Sequence, residues 1–259
     1  MFYRKKETAV VYSQTKLATG IYDCRIKTPA AKAARPGQFI GVYPKDASHL
    51  LARPISICEA DSENSVLRIV YRVAGEGTKE FSGYQEKDNV AILANLGNGF
   101  PIEEATGKTV LIMGGGIGIP PMLGVAKAIK DADKHIFLGY RDIETFLSDE
   151  FLPYGSVYIA TEDGSVGCKG NVLNALATTT LKPDIIMACG PMPMLRAIKK
   201  YAEENDIVAY ISLEERMACG VGACLGCVCK TTHKDHHSHV NNTRICTEGP
   251  VFDAREVDI

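Results

Sequence analysis

The chain has 259 residues, and at roughly 150 residues per domain this length indicates two domains. Lys and Arg together number 29 and Asp and Glu 31, a formal net charge of −2, which gives no sign of a nucleic-acid partner. Hydrophobic residues make up 46% of the chain, which excludes a disordered protein. The unusual count is nine cysteines, an odd number that favours metal chemistry over a disulfide framework.

The start of the chain predicts neither export nor membrane insertion. Arg4, Lys5, Lys6 and Glu7 precede only a very short apolar run, which is too short for a signal peptide. The uncharged stretch 109–126 contains Pro120 and five glycines, a content that suits a strand, a loop and a helix better than a membrane span. We therefore expect a cytoplasmic protein with no membrane association.

The first hundred residues predict β-strands. Residues 66–73 alternate between apolar and polar with period two, and Pro36-Gly37, Pro44 and Pro54 punctuate the runs around them. This pattern predicts a small antiparallel β-barrel over residues 1–104. The other predicted strands are 9–12, 21–26, 38–43 and 90–93.

Short apolar runs alternate with helical stretches over residues 105–213, which predicts a doubly wound parallel sheet. Residues 214–259 are rich in Cys and Gly with little periodicity, as expected of a small domain organised by a metal centre. The fold class is therefore β plus α/β with a C-terminal metal domain. Predicted strands are 110–113, 135–139, 157–160, 185–188 and 208–212, and predicted helices are 122–130, 170–177 and 193–204.

The cysteine spacing carries the strongest chemical signal. Cys219, Cys224 and Cys227 follow the pattern C-x4-C-x2-C, with Cys246 further on, which is typical of plant-type [2Fe–2S] ferredoxins. Four thiolates also suit a structural zinc ion, although zinc sites usually pair two short hooks. Cys229 is expected to be a packed thiol, because four ligands already complete the centre, and it is the competing ligand if one of the four does not bind the metal.

A glycine-rich string follows the predicted strand 110–113. Gly114, Gly116 and Gly118 lie between this strand and a helix predicted to start near Met122, which is the setting of a dinucleotide pyrophosphate site. Pro121 stands where the usual fingerprint has its third glycine. Two acids beyond the next strand, Asp142 and Glu144, favour NADH over NADPH, because either could bind a ribose 2′-hydroxyl.

A third group lies within the predicted barrel. An arginine, a hydroxyl and a glycine at a helix start are the parts that hold a second pyrophosphate and bond a flavin ring edge. They occur in order as Arg53-Pro54-Ile55-Ser56, Val70-Tyr71-Arg72 and Gly77-Thr78.

These motifs, with Cys189-Gly190-Pro191-Met192, resemble in order those of the ferredoxin–NADP reductase superfamily. Together with the C-terminal cysteines they are similar to the iron–sulfur flavoprotein electron-transfer subunits of two-subunit, NAD-dependent dihydroorotate dehydrogenases. The resemblance covers essentially the whole chain. It implies FAD on the three barrel motifs, a [2Fe–2S] cluster on the four cysteines, and NAD(H) at the glycine loop and at residues 190–192.

Two features depart from the resemblance. Many superfamily members have a flavin-stacking tyrosine where this chain has Ile55. The segment before Cys246 also contains a His-rich loop over 232–239. No ordered ligand spacing is evident there, so a solvated loop is expected and a second metal site is the alternative.

The resemblance implies a converter of electron pairs into single electrons, because a nicotinamide exchanges hydride and a [2Fe–2S] cluster passes one electron. Ser56 is the candidate for a hydrogen bond near flavin N5. Cys189 either lines the nicotinamide pocket or is a buried core residue. The implied partner is an FMN-containing catalytic subunit, in a heterotetramer of two copies of each subunit.

Two other functions stay open on the sequence. One is a flavoprotein reductase subunit that serves a ferredoxin, hydrogenase or oxygenase. The other is a zinc-stabilised redox-sensing or binding module without turnover.

Overall fold

The computed structural model describes residues 5–46, 48–234 and 240–259. Contacts divide the chain into two compact units. The first contains Met1–Gly99, Glu214–Val228 and Arg244–Pro250, and the second contains Phe100–Leu213, Cys229–Thr243 and Val251–Ile259. The C-terminal segment contributes to both units, and the division into FAD, NAD and cluster domains at 104/105 and 213/214 stays a prediction.

The first unit contains a closed antiparallel barrel with the strand order β1-β2-β5-β4-β3-β6. This confirms the predicted barrel, and its closure leaves no strand edge unpaired. The short helix α1, Glu76–Phe81, lies between the last two strands in sequence. The strands are β1 Lys6–Ala18, β2 Ile21–Lys27, β3 Phe39–Tyr43, β4 Arg53–Asp61, β5 Val66–Arg72 and β6 Asn89–Leu96.

Strand β5 shows how the alternation works. Leu67, Ile69 and Tyr71 belong to the hydrophobic core of the barrel, as their period of two predicts. Arg68 on the opposite face is also buried, because it pairs with Asp23 at 2.8 Å and with a glutamate of β4 at 2.6 Å. Both faces of β5 are therefore covered, which the sequence alone does not indicate.

The second unit contains a seven-stranded sheet in the order β10-β9-β8-β7-β11-β12-β15. Its strands are parallel except for β15, which lies antiparallel to β12. This confirms the doubly wound sheet, and the strand order reverses between β7 and β11. The strands are β7 Thr109–Gly115, β8 Asp133–Tyr140, β9 Ser156–Thr161, β10 Cys168–Lys169, β11 Ile185–Cys189, β12 Val208–Ser212 and β15 Val251–Asp253.

Three helices accompany this sheet: α2 Ile119–Ala128, α3 Val172–Ala177 and α4 Met192–Glu204. Helix α2 begins at Ile119 rather than near Met122, because Pro120 and Pro121 occupy its first turn. Proline is tolerated there, since the first N–H groups of a helix have no partner within the helix.

The C-terminal segment contains a two-stranded sheet of β13, Val228–Lys230, and β14, Asn242–Arg244. Strand β15 follows and adds to the edge of the large sheet beside β12. Among the described residues, no helix has the length and apolar character needed to cross a bilayer.

Candidate functional site: barrel end, cysteine loop and glycine loop

The predicted flavin-binding residues gather at one end of the barrel. Strands β4 and β5 are antiparallel neighbours, with Ile57 opposite Ile69, so β4 begins where β5 ends. Arg53 at the start of β4 lies over Gly77 of α1, where a β-carbon would stand 2.6 Å from the arginine Nε. Residues that are far apart in sequence are thus brought into contact, and a side chain at position 77 would displace the Arg53 guanidinium.

Thr78 supports the start of α1. Its hydroxyl oxygen accepts hydrogen bonds from the backbone N–H groups of Ala74 at 2.9 Å and Gly75 at 3.1 Å. The same hydroxyl donates to the Gly75 carbonyl at 3.0 Å. These bonds hold the turn that presents Gly77 to Arg53.

Two residues of the predicted flavin set turn their side chains into the barrel. Ile55 and Tyr71 belong to the hydrophobic core, and the Tyr71 hydroxyl donates to Gln14 at 2.9 Å. The Tyr71 ring also stacks on Tyr22 with 5.9 Å between centroids. These two positions therefore contribute backbone rather than side chain at the barrel surface.

The remaining members of the set lie on the same strands. Ser56 is half-buried opposite Phe39 of β3. Val70 is buried. Pro54 and Arg72 are exposed. Roles for these residues in binding a flavin stay predictions.

The cysteine loop wraps its sulfur atoms with backbone N–H groups. Val221 and Ala223 donate to Cys219 Sγ at 3.4 and 3.3 Å, and Gly226 donates to Cys224 Sγ at 3.4 Å. This winding needs left-handed backbone, which Gly220 and Gly222 adopt with φ of +67° and +86° and which glycine adopts without steric cost.

The four predicted ligands form two pairs of neighbouring cysteines. Cys219 is hydrogen-bonded to Cys224, and Cys227 to Cys246. The second pair is buried, and Ile245 N–H donates to the Cys227 carbonyl at 3.0 Å. Two pairs suit a [2Fe–2S] cluster, in which each iron takes two cysteines. Across the described ranges, no group of three or more His, Cys, Asp or Glu side chains is arranged to hold a metal ion.

Cys219 and Cys246 differ in the pKa of their thiols. Partial burial opposes ionisation of Cys219, but hydrogen bonds from Val221, Cys224 and Ala223 outweigh it and lower the Cys219 pKa to about 6. Burial, followed by the hydrogen bond with Cys227, raises the pKa of Cys246 to about 12. Thiols must lose their protons to bind iron, so Cys219 is ready to bind at neutral pH whereas Cys246 needs the metal to displace its proton.

The cysteine loop packs against the barrel beside β4, one of the strands that carry predicted flavin residues. One cavity is lined both by residues of β3, β4 and β6 and by the start of the cysteine loop, at Met217, Ala218, Cys219 and Gly220. A β-carbon at Gly220 would meet Leu96 at 3.3 Å. The barrel-side lining residues of this cavity are Phe39, Gly41, Ala52, Pro54, Leu93 and Leu96.

In the second unit, the glycine string and the Cys189 turn meet at the point where the strand order reverses. Cys189 pairs in register with Gly114, at the carboxyl ends of β11 and β7. A β-carbon at Gly118 would lie 2.4 Å from the Cys189 carbonyl oxygen. Ligands of doubly wound sheets bind at this point.

Most glycines of the string serve packing within the protein. A β-carbon at Gly115 would stand 2.5 Å from Met194 Sδ, and one at Gly190 would stand 2.5 Å from Met194 Cε. Gly116 has φ of +53° and is half-buried. Pro120 and Pro121 carry no N–H, so fewer helix donors are available to a phosphate than in the usual fingerprint. The contact between Gly115 and Met194 is revealed only by the fold.

The surroundings of the other predicted nucleotide residues vary. Cys189 is buried, whereas Pro191 is exposed at the start of α4. Asp142 lies beyond the end of β8, where its carboxylate accepts the Glu144 N–H at 3.0 Å. That bond shapes a turn, and a ribose contact for either acid stays a prediction.

The C-terminal segment also contains Cys229 and the His-rich loop. Cys229 is half-buried in β13. Residues 235–239 of the His-rich loop lie outside the described residues.

Comparisons with known proteins indicate the family of this chain. Residues 214–258 match a family model described as the iron-sulfur cluster binding domain of dihydroorotate dehydrogenase B. The dihydroorotate dehydrogenase B (NAD(+)) electron transfer subunit of Enterococcus faecalis is 41% identical over 98% of this chain and 98% of its own. The subunit of the same name from Bacillus velezensis is 37% identical over 98% of this chain and 99% of its own.

Solved structures agree on the fold. The structure of an NADH-dependent reduced ferredoxin-NADP oxidoreductase, solved for insight into flavin-based electron bifurcation, has a TM-score of 0.86 at 29% identity. The match covers 96% of this chain and 89% of the chain in that structure. A ferredoxin NADP+ reductase from Neisseria gonorrhoeae shares the fold at a TM-score of 0.65 and 16% identity, over 83% of this chain and 95% of its own. With full-length relatives near 40% identity and the cysteine domain matched, this chain belongs to the family of dihydroorotate dehydrogenase B (NAD(+)) electron transfer subunits.

Proposed function

We propose that this protein carries electrons between a dihydroorotate-oxidising partner subunit and NAD⁺, using a [2Fe–2S] cluster and FAD in pyrimidine biosynthesis. The observation that carries the proposal is the cavity that Cys219 shares with Pro54. This cavity brings a predicted cluster ligand beside a predicted flavin residue within one compact unit. Such proximity is what transfer of single electrons between the two groups requires.

The chain's own residues supply binding and orientation. Arg53 and the turn at Gly77 would hold the FAD pyrophosphate, and Ser56 would bond the flavin near N5. The pairs Cys219–Cys224 and Cys227–Cys246 would each hold one iron. When bound, FAD supplies the exchange between a hydride and single electrons that neither the nicotinamide nor the cluster performs alone.

NAD(H) would bind where the Gly114–Gly118 string meets the Cys189 turn. Support comes from the position of both at the carboxyl ends of adjacent parallel strands where the order reverses. Gly190, Pro191 and Met192 would line the same crevice.

The partner would be an FMN-containing catalytic subunit, in an assembly of two copies of each. The relatives' name, electron transfer subunit, implies a separate catalytic subunit. No disulfide joins any of the nine cysteines, all of which lie within the described residues, and this supports a reducing cytoplasm as the compartment.

Anaerobic purification tests the proposal. We expect one FAD and two irons per chain, and bleaching of the visible spectrum on addition of NADH. Mixing with the FMN subunit should give NADH formation that depends on dihydroorotate. A colourless protein that contains zinc would contradict the proposal, whereas co-purification with a hydrogenase would support a different electron-transfer partner.

A further inference from the structure

The two chain segments that carry the cluster ligands are joined by one arginine. Arg244 bonds the Glu248 carboxylate through Nε at 3.0 Å and through Nη2 at 2.6 Å. Its third nitrogen, Nη1, donates to the Gly222 carbonyl at 3.1 Å. Gly222 lies between Cys219 and Cys224, whereas Arg244 and Glu248 flank Cys246, so the guanidinium bridges the two ligand-bearing segments.

The contact between the segments is close. A β-carbon at Gly222 would lie 2.8 Å from Thr247 Cγ2. The Thr247 hydroxyl donates to Glu248 at 2.8 Å, and the Arg244 backbone N–H donates to the same carboxylate at 3.0 Å. The Glu248 carboxylate therefore accepts hydrogen bonds from four donor groups. Two of these donors are nitrogens of one guanidinium, whose planar shape suits a bidentate interaction with a carboxylate.

The pair is half-exposed, with 40% and 41% of the two side chains accessible. An ion pair this exposed adds little to global stability. What distinguishes the pair is its position beside the cysteine loop. The positive Arg244 guanidinium donates a hydrogen bond to the backbone of that loop, and the negative Glu248 carboxylate is bound to the other nitrogens of the same guanidinium.

We propose that Arg244 and Glu248 form a charged clasp that positions the two ligand segments and sets the reduction potential of the cluster. This inference rests on the proposed function, since it requires that the four cysteines hold a [2Fe–2S] cluster. Reduction adds one electron to the cluster, so a nearby positive charge favours the reduced state and a nearby negative charge opposes it. Removing either member leaves the other uncompensated, and the two removals shift the potential in opposite directions.

The test is a redox titration of the full-length protein with its FAD and cluster. The electron paramagnetic resonance signal of the reduced cluster is measured at each potential. Glu248→Gln should raise the potential, because Arg244 loses its counter-charge. Arg244→Gln should lower it, and the double variant should fall between the two. We expect each single variant to change the one-electron equilibrium threefold to tenfold, where tenfold corresponds to about 59 mV.

Arg255→Gln is the matched control. Arg255 also forms an ion pair with an aspartate, Asp253, through two of its nitrogens, but the partners of its side chain do not include the cysteine loop. The reduction potential of the cluster in this variant should therefore equal that of the unaltered protein. If Arg244→Gln loses iron, Arg244→Lys keeps the charge and should retain the unaltered potential, while Glu248→Gln still raises it.

Two results would contradict the proposed role of Arg244 and Glu248. One is a pair of single variants that keep two irons and whose reduction potentials shift in the same direction, and the other is a Glu248→Gln variant with an unchanged reduction potential. Failure of the proposed function is distinguishable, because in that case the unaltered protein itself contains no cluster.

Discussion

At the scale of single residues, the arrangement depends on a few glycines placed against side chains from distant parts of the sequence. Gly77 lies under the Arg53 guanidinium, and Gly222 lies against Thr247. The sequence marks both glycines within motifs but cannot say what each one touches. The structure identifies the neighbours, and each neighbour suggests a substitution that separates binding from folding.

Replacing Gly77 with alanine should weaken FAD binding. A β-carbon there would meet the guanidinium of Arg53, which would swing away from its present position while the barrel stays folded. We expect about a tenfold higher dissociation constant for FAD, or about 1.4 kcal/mol, measured by fluorescence titration of the apoprotein. Gly75→Ala is the control, because nothing lies within 4 Å of a β-carbon at that position. Equal affinities for the two variants would contradict the role given to Arg53.

Cys224→Ser should lose the cluster and keep FAD. Its hydroxyl is a poor ligand for iron, whereas the residues predicted to hold FAD lie on β4, β5 and α1. Iron analysis and the flavin spectrum measure the two independently. Cys229→Ser should keep both irons, and loss of iron from this variant instead would make Cys229 the ligand. Loss of both groups from Cys224→Ser would mean that cluster and flavin sites fold together.

At the scale of secondary-structure elements, strand positions can be predicted from the sequence more closely than the ends of helices. Each predicted apolar run falls on an observed strand, because period-two alternation and buried runs are local properties. Strand β4, Arg53–Asp61, is not among the predicted strands. Helix α2 begins three residues before Met122, because its first turn accommodates prolines that usually mark an interruption. Strand β15 was not predicted, since a three-residue strand forms only where the edge of β12 is available.

Gly118→Ala tests the contact between the glycine string and the β11 turn. The new methyl would press on the Cys189 carbonyl, and backbone atoms cannot rotate away as a side chain can. Overpacking of this kind costs about 1–3 kcal/mol, so the thermal unfolding midpoint should fall by several degrees. NADH-dependent flavin reduction should slow while FAD content is unchanged. Full NADH activity in a folded variant would place the nucleotide elsewhere.

At the scale of the whole molecule, the chain forms two compact units, and both contain parts of the C-terminal segment. Residues 214–228 and 244–250 belong with the barrel, while the final strand extends the parallel sheet. The cysteine segment is thus built onto the barrel, and several carboxylates tie loops to this framework.

Acidification should unfold the protein through such carboxylates. Burial opposes ionisation of Glu80, but hydrogen bonds from Lys45, Tyr84 and Asp46 outweigh it and hold the Glu80 pKa below its usual value. A carboxyl with a lowered pKa in the folded state stabilises above its unfolded pKa of about 4.3, and this stabilisation is lost as pH falls through the folded value.

We therefore expect the unfolding midpoint to be nearly constant from pH 7 to 5 and to fall below about pH 4. Glu80→Gln should lower the midpoint at pH 7, and its difference from the unaltered protein should close by about pH 3. Circular dichroism during thermal unfolding gives both curves. A constant difference at every pH would show that the Glu80 contribution is not electrostatic.

The sequence by itself determined the chemistry and the class of fold, because ligand spacing, glycine strings and hydrophobic period are properties of neighbouring residues. The C-x4-C-x2-C spacing predicts the cluster, and the alternation along β5 predicts the barrel core. Only the tertiary structure decided which distant residues meet: Arg53 with Gly77, Cys219 with Pro54, and Arg244 with Gly222. The physical reason is that such contacts arise when strands close into a barrel and loops pack on it, and no local pattern in the chain records the resulting neighbours.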